Sequence, residues 1–184
     1  MMMNTLPVVI ETDAYVQHIE GALPITEAQF EELWALRPEE PQRFEIYGKE
    51  ILLGRRYVVY GGSYGFAGQE HAGLDNVPEI LRPYLQYGNS LLVNFYRDGS
   101  EYVGYHSDSQ RDLVPNQRIY CFSYGAERKF KFQHKETKAV LDLMLPHNSL
   151  LIMKEHTQRL WKHALPVMKK ITERRISVTV RTTY

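Results

Sequence analysis

The sequence predicts a mainly β domain, a barrel or sandwich. Three observations carry this: eight short runs of strand character, clear alternation in the last of them, and Gly, Asn, Asp and Pro between them. The runs are Arg43–Tyr47, Arg56–Tyr60, Leu91–Tyr96, Arg118–Tyr124, Arg128–Gln133, Val140–Leu145, Ser149–Met153 and Arg174–Arg181. In the last, Ile176, Val178 and Val180 point one way while Arg175, Ser177, Thr179 and Arg181 point the other, so one face is core and the other polar. Leu91–Tyr96 repeats the pattern more weakly, with Leu91, Val93 and Phe95 opposite Leu92, Asn94 and Tyr96.

Ahead of these runs, an extended piece near Tyr15–Ile19 leads into a helix. Thr26 followed by Gln29 forms a capping box, and Phe30, Leu33 and Trp34 share one face. The helix is expected to stop near Arg37-Pro38, because proline disfavours helical backbone in the residue before it. A second short helix is expected over Val77–Gln86, which carries Pro83.

With 184 residues, 43% of them hydrophobic, the chain supports one buried core, and no linker or repeat divides it. A single domain, 1–184, is therefore expected. The lone cysteine, Cys121, forms no internal disulfide and lies in a strand pattern, which reads as packed rather than reactive. No run of about 18 apolar residues is present, and the start lacks a basic segment followed by a long apolar one. The expectation is an intracellular protein, nuclear or cytoplasmic, monomeric and not secreted, with no membrane partner. The 22 basic and 22 acidic residues cancel, but residues 1–94 hold 6 Lys+Arg against 13 Asp+Glu and residues 95–184 hold 16 against 9. Two complementary packed halves account for this split, and a polyanionic ligand is the alternative.

The chemistry-bearing residues begin with His106-Ser107-Asp108, where an extended backbone lets an imidazole and a carboxylate reach one metal ion. His163, within Gln158-Arg159-Leu160-Trp161-Lys162-His163-Ala164-Leu165-Pro166, adds a second imidazole. Two histidines and one carboxylate on one side of a metal leave the other positions open, as a non-haem iron(II) oxygenase requires. A co-substrate such as 2-oxoglutarate then leaves a carboxylate for which an arginine's planar fork is the natural partner. Arg175 and Arg181 share a face of one strand and suit its two ends, while Asn94 and Tyr96 add neutral donors.

These residues resemble the AlkB-like iron(II)/2-oxoglutarate dioxygenases, closest to the branch containing the animal DNA and RNA repair demethylases. The resemblance is carried by Asn94-Phe95-Tyr96-Arg97-Asp98-Gly99, Gly104-Tyr105-His106-Ser107-Asp108 and Phe122-Ser123-Tyr124-Gly125-Ala126-Glu127-Arg128-Lys129-Phe130. It continues through Ser149-Leu150-Leu151-Ile152-Met153, Trp161-Lys162-His163-Ala164-Leu165-Pro166 and Arg175-Ile176-Ser177-Val178-Thr179-Val180-Arg181. It implies an α+β, mainly β fold: a double-stranded β-helix, or cupin-like jelly roll, buttressed by N-terminal helices. Residues 1–88 are then an N-terminal extension with a nucleotide-recognition lid, and residues 89–184 the catalytic core. The implied activity is oxidative demethylation of N-alkylated bases in DNA or RNA, of the 1-methyladenine and 3-methylcytosine type. It uses Fe(II), 2-oxoglutarate and O2, and releases formaldehyde, succinate and CO2.

Residue by residue, the resemblance implies that His106, Asp108 and His163 bind iron and that Asn94, Tyr96, Arg175, Ser177, Thr179 and Arg181 hold 2-oxoglutarate, with Arg181 also in the catalytic set. Ser177 stands where relatives often carry asparagine. Phe44–Lys49 looks like the hairpin that approaches nucleic acid, and Tyr57–Phe66 like the base-binding lid. Tyr47, Tyr64 and Phe66 are the implied stacking residues, and Ser109 and Gln110 occupy positions where the family is acidic. Arg128, Lys129, Lys169 and Lys170 are read as phosphate contacts. His134, His147 and His156 have no partner at ligand spacing and are read as structural. Two rival readings share the fold: hydroxylation of a protein side chain or small molecule by the same centre, and a non-catalytic nucleic-acid-binding module.

Overall fold

The computed structural model describes residues 8–11, 15–46, 48–62, 73–108 and 113–184. Strand β1 (Val8–Glu11) pairs with β2 (Tyr15–Glu20), and helix α1 (Glu27–Trp34) follows. The hairpin of β3 (Arg43–Ile46) and β4 (Lys49–Leu52) then leads into β5 (Arg56–Gly61). Two 3-10 segments, Leu74–Asn76 and Glu79–Tyr87, precede β6 (Ser90–Tyr96), β7 (Val103–His106), β8 (Arg118–Gly125) and β9 (Arg128–His134). The chain closes with β10 (Val140–Leu145), β11 (Ser149–Lys154), a short helix α2 (Glu155–Leu160), β12 (Trp161–Leu165) and β13 (Arg175–Arg181).

The strands form a seven-stranded sheet in the order β1-β2-β11-β8-β13-β6-β5 and a four-stranded sheet in the order β10-β9-β12-β7. From β6 onward the chain crosses repeatedly between the two, every pairing antiparallel, which is the jelly-roll path. The expected double-stranded β-helix is thus present. Its strand membership differs from the sequence reading. The runs at Arg43 and Arg56 form strands outside the roll, while β7 and β12 complete it.

The large sheet is covered on both faces. Phe30 and Leu33 of α1, with Leu81 and Tyr84 of the second 3-10 segment, pack on Leu91, Val93, Phe95, Ile176, Val178 and Val180. Burying an aliphatic or aromatic side chain of this kind contributes about 1.5–3 kcal/mol, so this layer is the buttress. Between the sheets lies a second core, including Tyr96, Phe130, Phe132, Leu151, Met153 and Trp161. Strand β6 has both faces buried, which explains its weak alternation in sequence.

Helix α1 starts at the expected capping box, with Thr26 Oγ1 accepting from Gln29 N–H at 3.3 Å and Gln29 Oε1 accepting from Thr26 N–H at 2.9 Å. It ends at Trp34, earlier than expected. The next turn tightens, because Leu36 and Arg37 donate to carbonyls only three residues back. Val77–Gln86 is likewise a 3-10 segment over Glu79–Tyr87 with Pro83 inside it, not an α-helix. Arg174 at the entrance to β13 pairs with Glu31 of α1 and lies over Phe30 and Trp34, fastening helix to sheet. The turn from β8 to β9 uses Gly125 at φ +83°, where a Cβ would lie 2.3 Å from the Arg174 carbonyl oxygen.

Arg128 corrects an expectation: it is fully buried and cannot touch a phosphate. Its Nη1 donates to the Asp98 carbonyl at 3.2 Å, and its Nη2 to the carbonyls of Glu101 at 2.9 Å and Pro166 at 2.8 Å. The guanidinium ties the loop before β7 to the end of β12. Lys129 points outward to Asp142 at 3.3 Å, and Lys169 and Lys170 are exposed. We expect Arg128→Met to cost about 3 kcal/mol, since a fully buried guanidinium that serves three half-buried carbonyls is lost. Lys129→Ala should stay within about 0.5 kcal/mol of the parent. Urea unfolding of both variants makes the comparison, and equal losses would remove the tie assigned to Arg128.

Candidate metal and co-substrate site

The register of β7 on β12 sets His106 directly opposite His163, so the two imidazoles share the inner face of the small sheet with ring centroids 4.3 Å apart. Asp108, two residues past His106, brings Oδ1 to 3.8 Å from His106 Nε2 and 3.9 Å from His163 Nε2. One ligand atom from each residue lies within 4.8 Å of the others, a spacing that suits a single metal ion. His106 Nδ1 lies 2.9 Å from the Gly104 carbonyl, a contact that puts the proton on Nδ1 and leaves Nε2 as the free lone pair. His163 is buried and stacks on Phe130 at 5.3 Å, whereas the His106 side chain is 41% exposed, so the cluster opens on the His106 side.

Two contacts, one from α2 and one from the first residue of β12, hold the Asp108 loop. Gln158 Oε1 accepts from the Asp108 N–H at 3.0 Å, and Ser107 Oγ donates to the Trp161 carbonyl at 2.8 Å. Gln158 is itself buried beneath Met153. Burial works against the Asp108 charge, but Arg181, His163, His106 and Arg55 outweigh it and hold the carboxyl below its ordinary range. The nearest is Arg181, whose Nη2 donates to Asp108 Oδ1 at 2.6 Å with both side chains buried. Burial drives the His163 pKa down to about 3, with Asp108 opposing and His106 and Arg181 assisting, so the ring is neutral and ready to ligate at pH 7.

The polar face of β13 supplies the floor. Arg175, Ser177, Thr179 and Arg181 alternate inward, and two short side chains between two long cations leave a trough of about 60 Å³. Arg175 Nη2 donates to Ser123 Oγ at 2.9 Å, its guanidinium lies 5.2 Å over the Tyr96 ring, and its buried Nε has no hydrogen-bond partner among the described residues. Asn94 and Tyr96 stand opposite Ser177 and Arg175 on β6, and Asn94 Nδ2 donates to Ser177 Oγ at 3.4 Å. A carboxylate donor set beside a cation-ended trough with an unpaired buried N–H fits a metal and an anionic chelator.

The structure therefore gathers His106, Asp108, His163, Asn94, Tyr96, Arg175, Ser177, Thr179 and Arg181 around one cavity. Tyr47, Tyr64, Phe66, Ser109 and Gln110 lie outside the described residues. The expected hairpin exists as the paired β3 and β4, turning at Gly48 with φ +69°. Cys121 is buried as expected, burial raising its thiol pKa, but it also lines the trough. His134 Nδ1 accepts from the Glu136 and Thr137 N–H groups, and His147 Nδ1 from Gly125 N–H, so both serve turns. Two residues without an expected role belong to the site, Gln158 and Arg55. Arg55 shares its parity with buried Tyr57 and Val59, the signal that points it inward.

Residues 78–181 match the 2OG-Fe(II) oxygenase superfamily. The chain is 34% identical over 157 residues to the human "DNA oxidative demethylase ALKBH2", covering 76% of this chain and 60% of that protein. It is 37% identical over 105 residues to the rat "Alpha-ketoglutarate-dependent dioxygenase alkB homolog 3", covering 52% of this chain and 36% of that protein. The chain thus spans about three-fifths of the human relative's length. A solved structure titled "The structure of OsALKBH1" superposes with a TM-score of 0.65 at 15% identity, covering 96% of this chain and all of that one, and shares the fold. Among the described residues, no helix is long and apolar enough to cross a membrane.

Two outcomes follow from this geometry. Gln158→Met should weaken Mn(II) affinity about tenfold or more by freeing the Asp108 backbone, as titration by electron paramagnetic resonance will show. In the metal-free protein, the unfolded imidazole of His163 takes up a proton below pH about 6.5 that the native ring, at about 3, refuses. Stability should therefore fall as pH drops through that window. Urea unfolding of a His163→Leu variant should show a flatter dependence, and an unchanged slope would assign the loss to other groups.

Proposed function

Because the chain belongs to the 2OG-Fe(II) oxygenase superfamily, we propose that it removes alkyl groups oxidatively from N-alkylated bases of DNA or RNA. The observation that carries this reading is the cluster of half-exposed His106 with Asp108 and buried His163, capped by Arg181 at the head of a trough that ends in Arg175. The name of the human relative supports the substrate class, and that of the rat relative the co-substrate. Residues 1–88 act as extension and lid, and residues 89–184 as the catalytic core.

In this mechanism His106 Nε2, His163 Nε2 and Asp108 would hold the metal. Held there, Fe(II) would supply, with 2-oxoglutarate and O2, the oxidising power for an N-methyl C–H bond, one oxygen atom going to succinate as CO2 is lost and the other to the methyl carbon. The resulting N-hydroxymethyl group collapses to formaldehyde and the free base nitrogen. Arg181 keeps Asp108 ionised and fixed in direction. Arg175, unpaired at Nε, takes the distal carboxylate of 2-oxoglutarate, while Asn94, Tyr96, Ser177 and Thr179 line its length. Leu92, Val103, Met153 and Leu165 on the cavity wall keep water from the reacting centre.

The open side at His106 receives a base that has left its stack. An aromatic slot recovers part of the lost stacking energy, the role assigned to Tyr47, Tyr64 and Phe66, with Ser109 and Gln110 on the polar edge. Lys129, Lys169 and Lys170 are the phosphate contacts retained in this reading. The test is mass spectrometry of oligonucleotides bearing 1-methyladenine or 3-methylcytosine, incubated with Fe(II), ascorbate and 2-oxoglutarate. Loss of one methyl mass is expected for the parent and none for His106→Ala, Asp108→Ala or His163→Ala. Arg175→Ala should raise the 2-oxoglutarate requirement. Succinate formation with the methyl retained would keep the centre and overturn the substrate.

A further inference from the structure

Arg55 lies between the β3/β4 hairpin and β5, and is one of only six basic residues in the first 94. It is 9% exposed and lines the same cavity as Arg175 and Arg181. Its Nε donates to Asn94 Oδ1 at 2.6 Å, a short contact from a cationic donor. The guanidinium carbon lies 5.6 Å over the Tyr57 ring, and Tyr57 is the cross-strand neighbour of Asn94. The backbone beside it is fixed. The Gly54 carbonyl accepts from Tyr102 N–H at 2.8 Å, and a Cβ on Gly54 would sit 2.9 Å from the Tyr102 carbonyl oxygen.

An asparagine amide can present either its oxygen or its nitrogen to a site, and a half-turn about the terminal torsion exchanges the two. Here the oxygen is taken by Arg55 and the nitrogen is aimed at Ser177 Oγ across the trough floor. We propose that Arg55 is a positioning residue that locks the Asn94 amide with its N–H groups toward the co-substrate, so that the trough offers donors along its whole length to an anionic chelator. The proposal rests on the 2-oxoglutarate reading of the trough. Without the Arg55 donor, the amide is free to turn its oxygen toward a bound carboxylate or keto oxygen, and an acceptor facing an acceptor is repulsive.

The test is calorimetric titration of 2-oxoglutarate into Mn(II)-loaded protein, a measurement that needs no turnover. Arg55→Met should weaken binding about tenfold, the size of one charge-assisted hydrogen bond. Arg55→Lys should weaken it nearly as much, because a flexible ammonium lacks the fixed Nε of the planar fork; it also serves as the charge-preserving variant if Arg55→Met folds poorly. Asn94→Ala should weaken binding comparably, and Arg55→Met combined with Asn94→Ala should be no weaker than Asn94→Ala alone. Multiplying losses in the double variant would make Arg55 a direct co-substrate contact and overturn the positioning role, as would parental affinity in both Arg55 variants. If the parent itself fails to bind 2-oxoglutarate with Mn(II), the oxygenase reading fails and the proposal falls with it.

Discussion

A carboxylate that must stay ionised while buried is the constraint around which the molecule is arranged. Asp108 is nearly out of solvent, and an isolated charge there would be strongly disfavoured. Arg181 meets it at 2.6 Å. That contact requires β13 to present Arg181 to the space between the sheets, and the alternation of the strand puts apolar side chains on its other face. Ile176, Val178 and Val180 are therefore covered by α1 and the Glu79–Tyr87 segment. The N-terminal buttress thus covers the outer face of the strand that carries Arg181 inward to Asp108.

The two imidazoles depend on a different kind of support. Strands β7 and β12 are short, and β7 is the edge of its sheet, so pairing alone would leave His106 poorly fixed. Arg128 compensates from behind by gathering carbonyls from the loop that enters β7 and the residue that leaves β12. Gln158 and Ser107 do the same at the other end. Backbone groups, more than side-chain packing, hold the ligand geometry.

What the sequence made legible follows from this division. Strands with β-branched and aromatic residues on a repeat of two, such as β8 and β13, are visible because their own side chains demand a sheet. Val103–His106 and Trp161–Leu165 are four and five residues long and include glycine, lysine or alanine; only their partners make them strands. The His106, Asp108 and His163 cluster is nonetheless readable, since residue type and spacing survive without a strand assignment. Arg128 was misread as a surface cation, although it shares a face with Phe130 and Phe132 and the parity of β9 turns it inward. The same parity applies to Arg55 beside Tyr57 and Val59. A cation in phase with a buried stripe is a structural or site residue, and its charge says little about the surface.

That distinction changes the meaning of the charge split between the two halves of the chain. Three cations of the basic half, Arg128, Arg175 and Arg181, are interior, so part of the positive surplus never reaches the surface. Inside the cavity, Arg55, Arg175 and Arg181 face one buried carboxylate, Asp108, leaving two positive charges in excess before any metal is added. Water cannot balance such an excess in an enclosed trough as well as an anion can. A divalent metal raises that excess to four, and a ligand carrying two negative charges, as 2-oxoglutarate does, offsets half of it where a single charge offsets a quarter. The arginines of the site therefore favour a dicarboxylate over a monocarboxylate of the same length, and this preference arises from the charge of the cavity as a whole rather than from any single contact.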